Sequence, residues 1–245
     1  MEIIKTADYE ELSKKASSLI TNIYNENPSS VMCLAGGSTP VGTYQELVSN
    51  YNNNLVSFKL AKAFFLDEYA LAHPRLFEQS TKYFLEYNFF NKVNINEDNV
   101  FGIDQDVTKV DLTIKSLNQN LIDNPLDIVV LGIGENGHIG YNEPEEGIFK
   151  SGVHLSKLSS RTRVNQGKYF YDSDEVPGYA ITLGITDIMK ANKVILLASG
   201  SSKAAAIKQL IDGPITENFP ASILKKHPNV TIICDLKAAE LLNWL

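Results

Sequence analysis

Short apolar runs rich in β-branched residues recur along this chain, each separated from the next by a longer amphipathic stretch. The strongest is Asp127 to Ile133, apolar after its first residue. An uninterrupted run of this kind belongs to a strand buried on both faces, which is how strands of parallel sheets read. Val31-Met32-Cys33-Leu34, Ala61 to Leu66, Lys193 to Ala198 and Asn229 to Cys234 repeat the pattern. Between them, Leu12, Ala16, Leu19, Ile20 and Ile23 return at helical spacing, and helices are also expected over Pro40–Asn50, Ser80–Phe90, Lys109–Ile122 and Ser202–Ile211. Strands alternating with helices predict an α/β domain with a parallel sheet and right-handed crossovers.

The chain has 245 residues, 44% hydrophobic and 21% charged, which suits a folded domain with a sizeable core. A single domain spanning 1–245 is expected. The formal net charge of −7 offers no basic face for nucleic acid. No run of about 18 apolar residues occurs, so no membrane span is expected, and the N-terminus shows no basic segment followed by an apolar one. Cys33 and Cys234 each sit inside an apolar run and read as small buried hydrophobes, so a cytoplasmic location is expected. The stretch 145–178 is the least regular, rich in Gly and Ser, and reads as a possible lid.

In open α/β sheets ligands bind beyond the carboxyl ends of the strands, and the residues at those ends are distinctive. Gly36-Gly37-Ser38-Thr39-Pro40 follows the first run. The glycines permit a tight turn, Ser38 or Thr39 can cap the next helix, Pro40 suits its first turn, and the helix N-terminus then favours an anion. Ser199-Gly200-Ser201-Ser202-Lys203 repeats strand, small polar turn and helix. A lysine there works against the helix dipole unless an anion lies between them. Together the two loops suggest a phosphate.

Asp67-Glu68-Tyr69 follows the second run; paired acids there suit either a helix cap or a general base. Gly132-Ile133-Gly134-Glu135-Asn136-Gly137 spells G-x-G-x-x-G, but the dinucleotide fingerprint must open a helix and be followed by an acid. Here Pro144 and several small residues break any helix, and Lys157 lies where the acid belongs. What remains is His138 and Glu143, an imidazole able to pass a proton near neutrality and a carboxylate able to orient it. A metal pair is the other reading, yet no second His or Cys clusters there, since His73, His154 and His227 are scattered.

With these segments assembled, the chain resembles the glucosamine-6-phosphate/galactosamine-6-phosphate isomerase (deaminase) family. Leu66-Asp67-Glu68-Tyr69 and Gly134 through Pro144 look like its two signature segments, and the likeness runs from Gly36 to Pro220-Ala221-Ser222-Ile223-Leu224 and His227-Pro228-Asn229. The resemblance implies a Rossmann-like three-layer α/β sandwich, a sugar-phosphate substrate, no redox cofactor and no metal. By position, Asp67 would move a proton from C2 to C1, and His138 would assist ring opening with Glu143 and Asn136 in support. Gly36, Gly37, Ser38, Thr39 and Lys203 would hold the phosphate, with Lys168 where relatives often carry arginine. Asn136 stands where some members have aspartate. Ser151-Gly152-Val153-His154 departs from the glucosamine-type stretch and keeps galactosamine 6-phosphate open as substrate. Ending soon after Cys234-Asp235, the chain is not expected to answer to an acetylated amino sugar. A sugar-phosphate lactonase is the enzymatic rival. A non-catalytic sugar-phosphate sensor is the other, although it would call for a helix-turn-helix that this length does not accommodate. Oligomeric state is not legible.

Overall fold

A computed structural model describes residues 1–70, 74–144 and 149–242. Ten strands form two sheets. Seven of them make one wholly parallel sheet: β1 (Glu2–Thr6), β2 (Val31–Leu34), β3 (Lys62–Phe65), β5 (Val100–Phe101), β6 (Ile128–Leu131), β9 (Lys193–Ala198) and β10 (Val230–Asp235). Their order is β1-β10-β9-β6-β2-β3-β5, and helices cover both faces. All five expected strands are present. β1 and β5 extend the sheet at its two edges. β2, β6 and the last five residues of β9 are buried throughout, as an apolar run between two helical layers must be.

The helices are α1 (Tyr9–Glu26), α2 (Val41–Asn52), α3 (Thr81–Asn88), α4 (Val110–Asp123), α5 (Ser160–Gln166), α6 (Ile185–Ile188) and α7 (Ala204–Asp212). Five fall where the apolar spacing places them, and two short ones, α5 and α6, were not expected. Asp8, Ser80 and Ser159 cap α1, α3 and α5 by accepting a first-turn backbone N–H. Helix α2 differs from expectation. Pro40 itself is the N-cap and makes no side-chain bond, so neither Ser38 nor Thr39 caps it.

The second sheet was not foreseen. Asp67 does not stand in a loop after a strand; it opens β4 (Asp67–Ala70), which pairs antiparallel with β8 (Tyr179–Thr182), and β8 pairs with β7 (His154–Lys157). The least regular stretch therefore contains β7 and α5, and residues 145–148 of the expected lid lie outside the described part, as does His73. Leu66 links the sheets: its N–H donates to Leu34 O and its carbonyl accepts from Leu183 N, both at 2.9 Å.

The chain starts at one edge as β1; from β2 it runs outward through β3 to β5, then returns to the other side of β2 as β6 and continues to β9 and β10, which lies beside β1. The direction reverses between β2 and β6, and a crevice opens at such a point. The four strands whose ends carry the candidate residues are consecutive neighbours, β9-β6-β2-β3. At the opposite, amino ends, Asp127 ties three strands together, accepting Val31 N–H at 2.8 Å and Asn192 Nδ2 at 2.9 Å. Asp127→Ala leaves the Val31 N–H without this partner. Urea unfolding should show a loss of about 1–3 kcal/mol.

Candidate active site

A cavity of about 770 Å³ lies over the carboxyl ends of β2, β3, β6 and β9. Gly36, Gly37, Ser38, Thr39, Asp67, His138, Lys168 and Lys203 all line it. Asn136 and Glu143 do not; they stand behind His138. The expected residues thus converge on one site in two layers.

The acid pair divides its labour. Successive side chains of a strand point to opposite faces, so Asp67 and Glu68 part company. Glu68 is fully buried, and its carboxylate accepts the backbone N–H groups of Tyr69 (2.8 Å), Thr81 (3.0 Å) and Lys82 (2.8 Å). It anchors the first turn of α3. Asp67 faces the cavity, 8% exposed, with one long contact, from Thr81 Oγ1 at 3.4 Å. Burial, and then the Glu68 charge beside it, raise its carboxyl from 3.8 to about 7, against a small opposing pull from Thr81. Glu68 thus takes the place at the helix start, and Asp67 the place open to the cavity.

The glycine-rich segment after β6 is a folded-back loop. Gly134 N–H donates to His138 O at 2.9 Å and Gly137 N–H to Gly134 O at 3.0 Å, so no helix opens here and the dinucleotide reading falls on geometry. Gly137 has φ +84°, and a methyl group there would run into the Phe219 ring; at Gly134 it would strike the imidazole of His138. His138 Nδ1 lies 3.6 Å from Glu143 Oε2 and 3.4 Å from Thr162 Oγ1. Burial would raise the Glu143 carboxyl, but His138, Thr162 and Asn136 outweigh it and hold it at about 2. Asn136 Nδ2 donates to Glu143 Oε2 at 2.9 Å, while its Oδ1 accepts His138 N–H at 3.2 Å. The amide at 136 therefore does what a carboxylate could not, since it donates to an anion.

At the other end of the cavity the two loops are unequal. The N–H groups of Gly37, Ser38 and Thr39 make no hydrogen bond to the described residues. In the second loop, Gly200 N–H is taken by the Asp235 carboxylate at 3.1 Å, which also accepts Ser199 Oγ at 2.5 Å. That loop offers mainly Ser202 and Lys203. Lys203 is half-buried, its ammonium has no hydrogen bond or ion pair to the described residues, and burial lowers its pKa, with Glu135 opposing and Lys168 adding to the fall. Two lysines and a row of open N–H groups line the same cavity. An anion would satisfy them.

Sequence reasoning missed Thr81, Thr162 and the Tyr69–Tyr141 ring pair, whose centroids are 5.7 Å apart at the cavity wall. It also gave weight to Ser151-Gly152-Val153-His154, none of which lines the cavity. That departure from the glucosamine-type pattern lies in and before β7, outside the cavity lining.

A parallel sheet whose carboxyl ends open on a buried acid, a supported histidine and an anion cradle is the framework of an α/β enzyme. The chain belongs to the glucosamine-6-phosphate isomerase/6-phosphogluconolactonase family, whose model matches residues 5–233. It is 42% identical to a glucosamine-6-phosphate deaminase of Thermoanaerobacter pseudethanolicus, over 99% of this chain and 95% of that protein. It is 40% identical to one of Clostridium botulinum, over 99% of both. A solved monomeric glucosamine-6-phosphate deaminase superposes with a TM-score of 0.93 at 36% identity, covering 98% of this chain and 100% of that one. The 6-phosphogluconolactonase of Trypanosoma brucei superposes at 0.77 with 21% identity, covering 98% of each chain, a likeness of fold alone.

The Asn136–Glu143 contact gives a test with a definite sign. Asn136→Asp places two carboxylates 2.9 Å apart, so the pair retains a proton to higher pH than either acid would alone. A raised folded-state pKa contributes stability below the unfolded pKa and loses it as pH rises. The Tm deficit of Asn136→Asp relative to wild type should therefore widen from pH 5 to pH 8, measured by thermal unfolding across a pH series.

Proposed function

We propose that this chain is a glucosamine-6-phosphate deaminase, converting glucosamine 6-phosphate and water to fructose 6-phosphate and ammonia. The observation that carries the reading is the cavity that Asp67 and His138 share with the open N–H groups of Gly37, Ser38 and Thr39 and with Lys168 and Lys203. Full-length relatives at 40–42% identity bear the deaminase name, which supports the gluco substrate over its C4 epimer and deamination over lactone hydrolysis.

The phosphate sits at Gly36–Thr39 with Lys203 and Lys168, and fixes the far end of the sugar while C1 and C2 approach Asp67. The ring opens first: the bond from C1 to the ring oxygen breaks, the ring oxygen gains a proton and the C1 hydroxyl loses one. His138 exchanges these protons. Its Nδ1 is turned to Glu143, which leaves Nε2 for the substrate. Asp67 then takes the C2 proton, giving an enolamine, and returns it to C1. The resulting C2 imine adds water and releases ammonia. A carboxyl raised to about 7 is matched to lifting a carbon-bound proton and giving it back.

Residues 149–178 supply the cover of the site, since Thr162, Val164, Asn165 and Gln166 of α5 and Lys168 beyond it line the cavity. The chain acts as one domain in the cytoplasm. Among the described residues no helix is long and apolar enough to cross a membrane, and both cysteines are buried and free, as that compartment permits.

Coupled ammonia assays on glucosamine 6-phosphate, galactosamine 6-phosphate and 6-phosphogluconolactone test the reading. Ammonia from the first substrate is expected. Lactone hydrolysis without ammonia would move the chain to the rival activity. Asp67→Asn and His138→Gln should each lose about 10²–10⁴-fold in kcat/KM.

The pH dependence follows from the same carboxyl. Asp67 must be ionised to act, so wild-type kcat/KM should fall toward tenfold per pH unit below about 7. Its raised pKa means that the folded state gives up stability as pH rises through about 7. Asp67→Asn should consequently be more stable than wild type at pH 8, by about 2–6 °C in Tm, while inactive.

A further inference from the structure

We propose that Tyr9 is a positioning residue for the anion loop, its hydroxyl holding the backbone of Ser38, Thr39 and Gly42 in the shape that receives phosphate. The inference rests on reading the cavity as a sugar-phosphate site.

Helix α2 begins without a cap of its own. Pro40 at the N-cap has no N–H and makes no side-chain bond, and Tyr44 N–H bonds to Pro40 O at 3.0 Å. The first-turn N–H of Gly42 would be left open. Tyr9, the first residue of α1 and 33 positions away, takes it: Gly42 N–H donates to the phenol oxygen at 2.8 Å. The same hydroxyl donates toward Thr39 O at 3.0 Å and Ser38 O at 3.2 Å. One side chain from a different helix closes three backbone groups of this loop.

Two consequences follow for ligand binding. With the cap supplied from outside, the hydroxyls of Ser38 and Thr39 are not spent on the helix, and both residues line the cavity. In a trans peptide the C=O and N–H point in opposite directions. Holding Ser38 O toward Tyr9 therefore aims Thr39 N–H away from it. The peptide after Thr39 ends in Pro40, so pinning Thr39 O sacrifices no donor. Gly37, at φ +93°, supplies the turn that brings the loop round. Gly42 makes the approach possible, because a methyl group there would strike Ser13 Oγ and press on the Tyr9 ring.

The experiment uses the full chain and inorganic phosphate as probe. Calorimetric phosphate affinity and steady-state kinetics with glucosamine 6-phosphate are measured for wild type, Tyr9→Phe and Ser13→Ala. Tyr9→Phe keeps the ring and loses the hydroxyl. Its phosphate Kd and its KM should both rise about 5- to 30-fold, with kcat within about twofold of wild type. Ser13 also packs at Gly42 and donates to Tyr9 O at 2.8 Å, but leaves the hydroxyl in place. Ser13→Ala should retain wild-type phosphate affinity. Unchanged phosphate affinity in Tyr9→Phe overturns the inference, and so does an equal loss in Ser13→Ala, which would assign the effect to helix packing. If wild type binds phosphate and Tyr9→Phe binds it weakly, but no ammonia is released, the deaminase reading fails and the role of Tyr9 stands. Ammonia release with phosphate affinity indifferent to Tyr9 fails the inference alone. A wild type that binds no phosphate overturns both.

Discussion

Two carboxylates adjacent in sequence, fully or nearly buried, must be accommodated at the mouth of the sheet, and the way β4 does this organises the site. The strand turns Glu68 toward the start of α3 and Asp67 toward the cavity. Glu68 accepts three backbone N–H groups at a helix N-terminus, which offset part of its burial, although burial still raises its carboxyl from 4.5 to about 7. Asp67 receives no such compensation. Its long contact with Thr81 leaves desolvation dominant, and the negative neighbour pushes the same way. One carboxyl is thus tied to the start of α3 while the other faces the cavity. Because Thr81 N–H bonds to Glu68 and Thr81 Oγ1 to Asp67, the anchored helix and the cavity-facing acid are fixed by the same residue.

The same economy recurs around His138. Ser80 caps α3 and the next residue, Thr81, reaches Asp67; Ser159 caps α5 and Thr162, in its first turn, reaches His138. In each case a serine satisfies the helix and a threonine in the first turn is left for the site. Ser80, Thr81 and Thr162, from the starts of two different helices, line the cavity with Ser38, Thr39, Ser199 and Ser202, so small hydroxyl residues gather there from separate stretches of chain.

What could be read from the sequence follows from which interactions are local. The buried strands were legible because a continuous run such as Ile128–Leu131 has no other stable home. The glycine-rich loop could be denied a helix because Pro144 and its glycines are local facts. β1 has only two apolar residues, Ile3 and Ile4, flanked by charged ones, β5 is two residues long, and β4, β7 and β8 mix polar with apolar side chains, so none carries a strand's signature by itself. The cap of α2 was misread for the same reason: Ser38 and Thr39 have the chemistry of a cap, but a phenol from the distant start of α1 occupies the place. Asp67, His138 and the first glycine loop were recognisable as residue types at strand ends. Their support, from Thr81, Thr162 and Tyr9, exists only in three dimensions.

The neutral residue at 136 shows how the charge of the histidine end is set. Glu143 is buried, held at about 2, and so remains ionised through the whole working range of pH. An acid at 136 would compete with it for protons, whereas the amide donates to Glu143 and leaves it as the sole anion behind the ring. A negative charge therefore stands 3.6 Å from Nδ1, on the side of the ring turned from the cavity, and the amide, with no charge of its own, orients that carboxylate while accepting the His138 N–H.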